Sequence, residues 1–186
     1  MIKRFISSFY LSNRFFIALG ILGFLFLCSY FFPALYLIVK TIFNITVALF
    51  VIDILLLYGL KNAVEAKRSA AEKLSNGDHN PFTISITNRY HFPVHLKVYD
   101  ELPMQFQLRD HYFEKDMEAR SAIEIHYQLR PIKRGNYNFG ALNIYVHTLL
   151  GLAVRRFKLD QDLNLPVYPS FIQMRKYEFL AIHNRL

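Results

Sequence analysis

From Phe15 to Leu60 apolar positions follow one another without a period of two, and only Lys40 and Asp53 carry charge. A bilayer core about 30 Å thick is crossed by roughly 20 apolar residues in helical form, so this block is too long for one span and suits two. Continuous Leu, Ile and Phe without alternation excludes a membrane barrel and leaves a helical hairpin. The first span is predicted over 15–32. Pro33 lacks an amide hydrogen and biases Phe32 away from the helical region, which marks the turn. The second span begins somewhere between Ala34 and Ile42. The earlier start would make Lys40 snorkel, and the later start, giving 42–60, is preferred.

Beyond the hairpin the pattern changes. Residues 61–74 are rich in Lys, Ala, Glu and Leu, whose propensity favours helix. The cluster Ser75-Asn76-Gly77-Asp78 predicts a turn. From Phe82 the period is two: Phe82, Ile84 and Ile86 alternate with Thr83, Ser85 and Thr87, and Val94, Leu96 and Val98 with His95, Lys97 and Tyr99. Ile123, Ile125, Tyr127 and Leu129 form a third such run, stopped by Pro131. Tyr137, Phe139, Leu142, Ile144 and Val146 continue it, with Gly140 as a bulge or bend, and strands follow near 153–159 and 163–167. The expected fold is therefore an N-terminal transmembrane α-helical hairpin (1–60) followed by an all-β antiparallel sandwich (61–170), with 171–186 as a linker or the truncated start of a further region.

Charge sets an orientation. Lys3, Arg4 and Arg14 precede the hairpin, Lys61, Lys67, Arg68 and Lys73 follow it, and its turn offers only Lys40, which predicts both termini in the cytoplasm. No small-residue cleavage site follows the first apolar run, so it reads as an anchor and not as a signal peptide. The net charge of +8 fits basic faces near anionic lipid, and no nucleic-acid-binding module is recognisable, so a nucleic-acid partner is not expected. The single cysteine, Cys28, lies in the first span and excludes an intrachain disulfide or a multi-thiolate metal site.

Candidate chemistry is sparse. His91 and His95 are four apart, but Pro93 forbids the helix that would stack them on one metal, and they read as unconnected. Asp110, Glu114, Asp116 and Glu118 alternate with cationic residues and read as a solvated loop. No nucleophile elbow, phosphate loop or dinucleotide fingerprint is present, so no enzyme activity, cofactor or metal is expected. Arg130, Lys133, Arg134 and the pair Arg155-Arg156 read as wet strand edges, with contact to a protein partner as the functional alternative. Asp53, a carboxylate in apolar surroundings, must pair, protonate or reach the interface, and Thr46 shares its helix face. Structural pairing is preferred to a role in an enzyme or transport complex.

The run Leu74-Ser-Asn-Gly-Asp-His-Asn-Pro81, the strand end Thr87-Asn88-Arg89, Asp100-Glu101-Leu102-Pro103, Leu129-Arg-Pro-Ile-Lys-Arg-Gly135 through Tyr137-Asn-Phe-Gly140, Leu150-Gly151-Leu152 and Val167-Tyr168-Pro169 together resemble the bacterial family called domain of unknown function fifty-eight. The family usually places Asp-Pro before the Leu-Gly-Leu corner, where this chain has His147-Thr148-Leu149. The resemblance implies a membrane-anchored protein with a sandwich ahead of a von Willebrand factor A-like region; the two spans and the charge pattern add the expectation of a multi-pass inner-membrane protein whose sandwich faces the cytoplasm. The resemblance also implies a partner among MoxR-type AAA+ ATPases or von Willebrand factor A-like proteins, whereas the non-catalytic adaptor or assembly role is expected from the absence of catalytic motifs beside a tethering hairpin. The resemblance further implies a strand over 64–74 in place of the helix, and the strand is preferred because tertiary context overrides propensity. The acidic-aromatic signature that follows the sandwich in the family is missing. The chain is thus expected to be shortened relative to those proteins, with Phe179, Leu180 and Ile182 packing little against the sandwich.

Overall fold

A computed structural model describes residues 7–108, 111–160 and 163–170. The expected linker 171–186, with Phe179, Leu180 and Ile182, lies outside the described residues, as do Lys3, Arg4, Arg109 and Asp110.

The first described strand is the short β1 (Phe9–Leu11), which no alternation announced. Ser12 then caps α1 (Asn13–Phe31) in extended geometry, its hydroxyl accepting from the Arg14 amide at 3.3 Å. Pro33 ends the helix as expected, opening a 3-10 turn (Pro33–Leu35) that runs straight into α2 (Tyr36–Tyr58). The second helix therefore starts six residues ahead of the expected 42. The turn after Pro33 nucleates it at once, and Lys40 stays exposed in its second turn. Both helices are long and apolar enough to cross a membrane. Phe16, Ile17, Phe24, Leu27, Leu37 and Leu55 are 57–72 % exposed, which is the surface of an anchor and not of a core helix. Thr41 and Thr46 return their hydroxyls to the carbonyls of Leu37 and Ile42, both at 2.9 Å. Thr46 thus serves its own helix and does not accompany Asp53.

Eleven described strands follow this plan. β2 (Val64–Ala70), β4 (Asn80–Asn88) and β7 (Ala122–Leu129) form one antiparallel sheet, in the order β2-β4-β7. The five-stranded sheet is β1-β10-β9-β5-β6, built from β5 (Val94–Asp100), β6 (Tyr112–Met117), β9 (Leu142–His147) and β10 (Ala153–Leu159) with β1. A third sheet places β11 (Leu163–Tyr168) between β8 (Gly135–Phe139) and the two-residue β3 (Leu74–Ser75), the last parallel to it. The molecule is a β-sandwich preceded by two apolar helices long enough to cross a membrane, and residues 64–70 are strand, not helix.

The alternating residues form the core. Phe82, Ile84 and Ile86 of β4, Ile125 and Leu129 of β7, Leu96 and Val98 of β5, and Leu142, Ile144 and Val146 of β9 are all buried in one cluster. Gly140 stands where the chain leaves β8 for β9 in another sheet. A Cβ there would lie 2.8 Å from that of Glu101, so only glycine fits. Of the acidic stretch read as a solvated loop, Glu118 stays outside the strands, whereas Glu114 and Asp116 lie on β6, paired with β5 through Lys97↔Glu114 and His95↔Asp116. The charges of β6 belong to an edge strand, where they deter pairing with other chains. Strand register fixes the two ends of the sandwich. Val64↔Asn88 lies beside the hairpin, whereas Asn80↔Leu129 lies at the far end of β4, roughly 25 Å away at the usual rise per strand residue.

Candidate functional site

The hairpin end is a joint made by two buried charges. Asp53, fully buried, projects from α2 onto the corner between β9 and β10. The Thr148 hydroxyl donates to its Oδ1, and the amides of Leu152 and Ala153 donate to its Oδ2 at 2.9 and 2.8 Å. A carboxylate met by three donors satisfies its burial without a cation. Gly151, at φ +61, turns the corner so that its amide reaches the Thr148 hydroxyl at 3.3 Å. Thr148 thus both closes the turn and binds the helix.

Arg155 makes the second half of the joint. Its guanidinium donates to the carbonyls of Leu57, Leu60 (2.6 Å) and Lys61 (3.0 Å), at the C-terminal end of α2 where carbonyls lack helical partners. A cation there also meets the negative end of the helix dipole. The rings of Tyr58 and Phe157 stack on it at 4.7 and 4.4 Å from their centroids. The Tyr90 hydroxyl donates to the Leu57 carbonyl at 2.6 Å, and burial pushes that phenol up to about 12. Leu57 itself is wholly buried among core residues. β1 adds the last tie: it pairs with β10, and the Ser12 amide donates to the Leu152 carbonyl at 3.1 Å.

The sequence-stated partner cluster divides accordingly. Arg155 is not an edge cation available to a partner, since its charge is consumed inside the joint and β10 is flanked by β1 and β9. Arg156 points to the other face, donating to the side-chain Oδ1 of Asn143 at 2.9 and 2.6 Å and to the Tyr10 hydroxyl at 3.2 Å. Arg130 closes the distal turn through the Gly77 carbonyl at 2.6 Å. Lys133 and Arg134 are exposed in the loop between β7 and β8, at the end opposite the hairpin. Exposed Ile132 (61 %) stands beside them, and Lys73 lies over the ring of the half-exposed Tyr168 on the same sheet. The structure therefore keeps Lys133 and Arg134 together and sends Arg155 and Arg156 elsewhere.

Two further features escaped the sequence reading. Arg68 and Asp100 form an ion pair with both side chains fully buried, and the Tyr127 hydroxyl also donates to Asp100. Burial raises the Asp100 carboxyl above its ordinary range against the pull of Arg68. Arg68 shares its strand face with Val64 and Ala66, and Asp100 shares its own with Leu96 and Val98, so strand parity carried the signal for both. Parity also places Arg155 with Ala153 and Phe157. Beside the joint, a groove of about 570 Å³ runs between Ser12, Arg14, His95, Lys97, Glu114, Asp116 and His147. Within it Lys97 pairs with Glu114 at 3.1 Å and His95 Nδ1 lies 2.7 Å from the Asp116 carboxylate. His91 takes the Arg120 Nε hydrogen at 2.9 Å and does not meet His95.

No family model and no curated protein matches the chain. Among solved structures it is similar to the ASH / PapD-like domain of human CEP192, at 13 % identity and TM-score 0.41, over 59 % of this chain and 87 % of that one. It is also similar to a CARDB domain from Pyrococcus furiosus, solved with di-metal ions, at 10 % identity and TM-score 0.37, over 56 % and 87 %. A third is the C-terminal domain of wzt, at 12 % identity and TM-score 0.36, over 59 % and 75 %.

Proposed function

We propose that this chain is a membrane-anchored, non-catalytic adaptor that holds its sandwich in a fixed pose at the cytoplasmic face of the inner membrane. The observation that carries the reading is the joint. Asp53 and Arg155 bind the apolar hairpin to the corner and strand of the sandwich, so that the Lys133-Arg134 loop is held at the end away from the helices. A tether of this kind suits a module that presents one surface to a partner. Asp53 is engaged by structural donors, which favours this role over an enzyme or transport complex working through that carboxylate. The excess of Lys and Arg flanking both ends of the hairpin supports the cytoplasmic orientation. The resemblance noted above supports a MoxR-type AAA+ ATPase or a von Willebrand factor A-like protein as the partner. An exposed basic loop with a neighbouring apolar residue suits an acidic protein surface.

A photo-crosslinking residue at Ile132, in a chain co-expressed with a MoxR-type ATPase from the same organism, tests this. The expected result is a crosslinked product that the double variant Lys133→Glu, Arg134→Glu reduces at least tenfold. Undiminished crosslinking in that variant, or crosslinking equal to that from a residue placed at Glu124, would contradict the reading.

A further inference from the structure

Leu149 is 79 % exposed and Leu150 37 %, an apolar pair at the tip of a tight corner where solvent-facing loops usually carry polar residues. Their position along the membrane normal follows from two independent rulers. α1 runs 19 residues from Asn13 to Phe31, about 28 Å at the helical rise. From Pro33 through the 3-10 turn and α2 to Asp53 the chain climbs roughly 31 Å. A hydrocarbon layer of about 30 Å whose far boundary lies at the aromatic turn Tyr30–Tyr36 therefore ends at Asn13 on one helix and Asp53 on the other. Those are the levels at which the corner is tied, by the Ser12 amide to the Leu152 carbonyl and by Asp53 to Thr148, Leu152 and Ala153. Leu11, 38 % exposed, pairs with Ala153 and extends the same apolar rim.

Resting on the reading that the hairpin spans a bilayer, we propose that the Leu149-Leu150 corner is a third membrane contact, dipping into the acyl boundary beside the helices. The occupant of this apolar surface is lipid, because it is continuous with the lipid-facing surface of the hairpin and lies at the same depth. The contact makes three points, α1, α2 and the corner, and three points define a plane. The sandwich then sits on the membrane with one face down and cannot swivel about the hairpin axis.

The test uses the full chain with Cys28→Ser, alone in nanodiscs of phosphatidylcholine and phosphatidylglycerol, carrying one environment-sensitive fluorophore on Leu149→Cys. Leu27→Cys on the lipid-facing hairpin and Glu124→Cys on the outer face of β7 provide references. The Leu149 probe should be quenched by a lipid spin-labelled high on its acyl chain at least threefold more than the Glu124 probe, and by aqueous iodide at least threefold less. Iodide quenching equal to that at Glu124, with the Leu27 probe still lipid-quenched, would overturn the corner contact while leaving the hairpin in the bilayer. Iodide access at Leu27 would overturn the membrane reading and the corner with it. Protection that appears only in discs holding more than one copy would assign the surface to a second copy of the chain and overturn the lipid contact.

Discussion

At the hairpin end Arg155 lies under two aromatic rings with its hydrogens given to the carbonyl of Leu57 in α2 and to those of Leu60 and Lys61 just beyond it, whereas at the opposite end Lys133 and Arg134 stand in solvent without burial. The residue types are nearly the same and their chemical situations are opposite. In the joint, neutral backbone groups meet each charge, and desolvation makes removal of either charge costly because its partners stay behind unpaired. At the tip, water and salt screen the cations, so they contribute little to folding and remain open to a partner. The comparison teaches that a basic cluster in a β protein is not one site: strand parity decides which cations the fold consumes.

Substitutions grade this contrast. Ile125→Asp, which places an unpaired charge in the sandwich core, is expected to cost on the order of 4 kcal/mol in denaturant titration, against almost nothing for the outward Glu124→Gln. Equal damage at the two positions would invert the register of β7. Asp53→Leu strands the Thr148 hydroxyl and two amides, and should cost about 3 kcal/mol in the same assay. A loss confined to the hairpin, with the sandwich unaffected, would show that the joint does not couple them.

Much of the sandwich was legible because a strand with one buried face writes its register in alternate residues. Phe82, Ile84 and Ile86, and Val94, Leu96 and Val98, needed no further information. The hairpin was legible for the simpler reason that lipid tolerates almost no charge. The joint was not, because its bonds join residues about a hundred positions apart, Asp53 to Ala153 and Arg155 to Leu57, and neither backbone amides nor helix-end carbonyls have a sequence signature. β1 was missed because three residues are too short for any period to show. The start of α2 was misjudged because Lys40 looked like a boundary, when its long stem lets it sit inside a helix and still reach water.

Acidity sharpens the contrast more gently. Burial lowers the pKa of His147, beside the joint, and of His111, beside Asp100, below the ordinary 6.5. The unfolded chain then takes up these protons before the folded one does. Stability is full above about pH 6.5 and falls as the pH drops toward the folded values, and the pair His111→Gln, His147→Gln should flatten that slope. A slope unchanged in the double variant would place its origin elsewhere. The smallest effect belongs to the tip: Lys133→Glu with Arg134→Glu should move stability by no more than about 0.5 kcal/mol.

Helices and sandwich are expected to move as one body because Asp53 and Arg155 join them. Spin labels at Leu27 and Glu124, with Cys28 replaced, read it as a distance distribution by pulsed dipolar spectroscopy in nanodiscs. One narrow peak is expected in the wild-type background and a clearly broader distribution when Asp53→Leu and Arg155→Met are combined. A wild-type distribution as broad as that of the double variant would mean that the sandwich swings freely on its anchor.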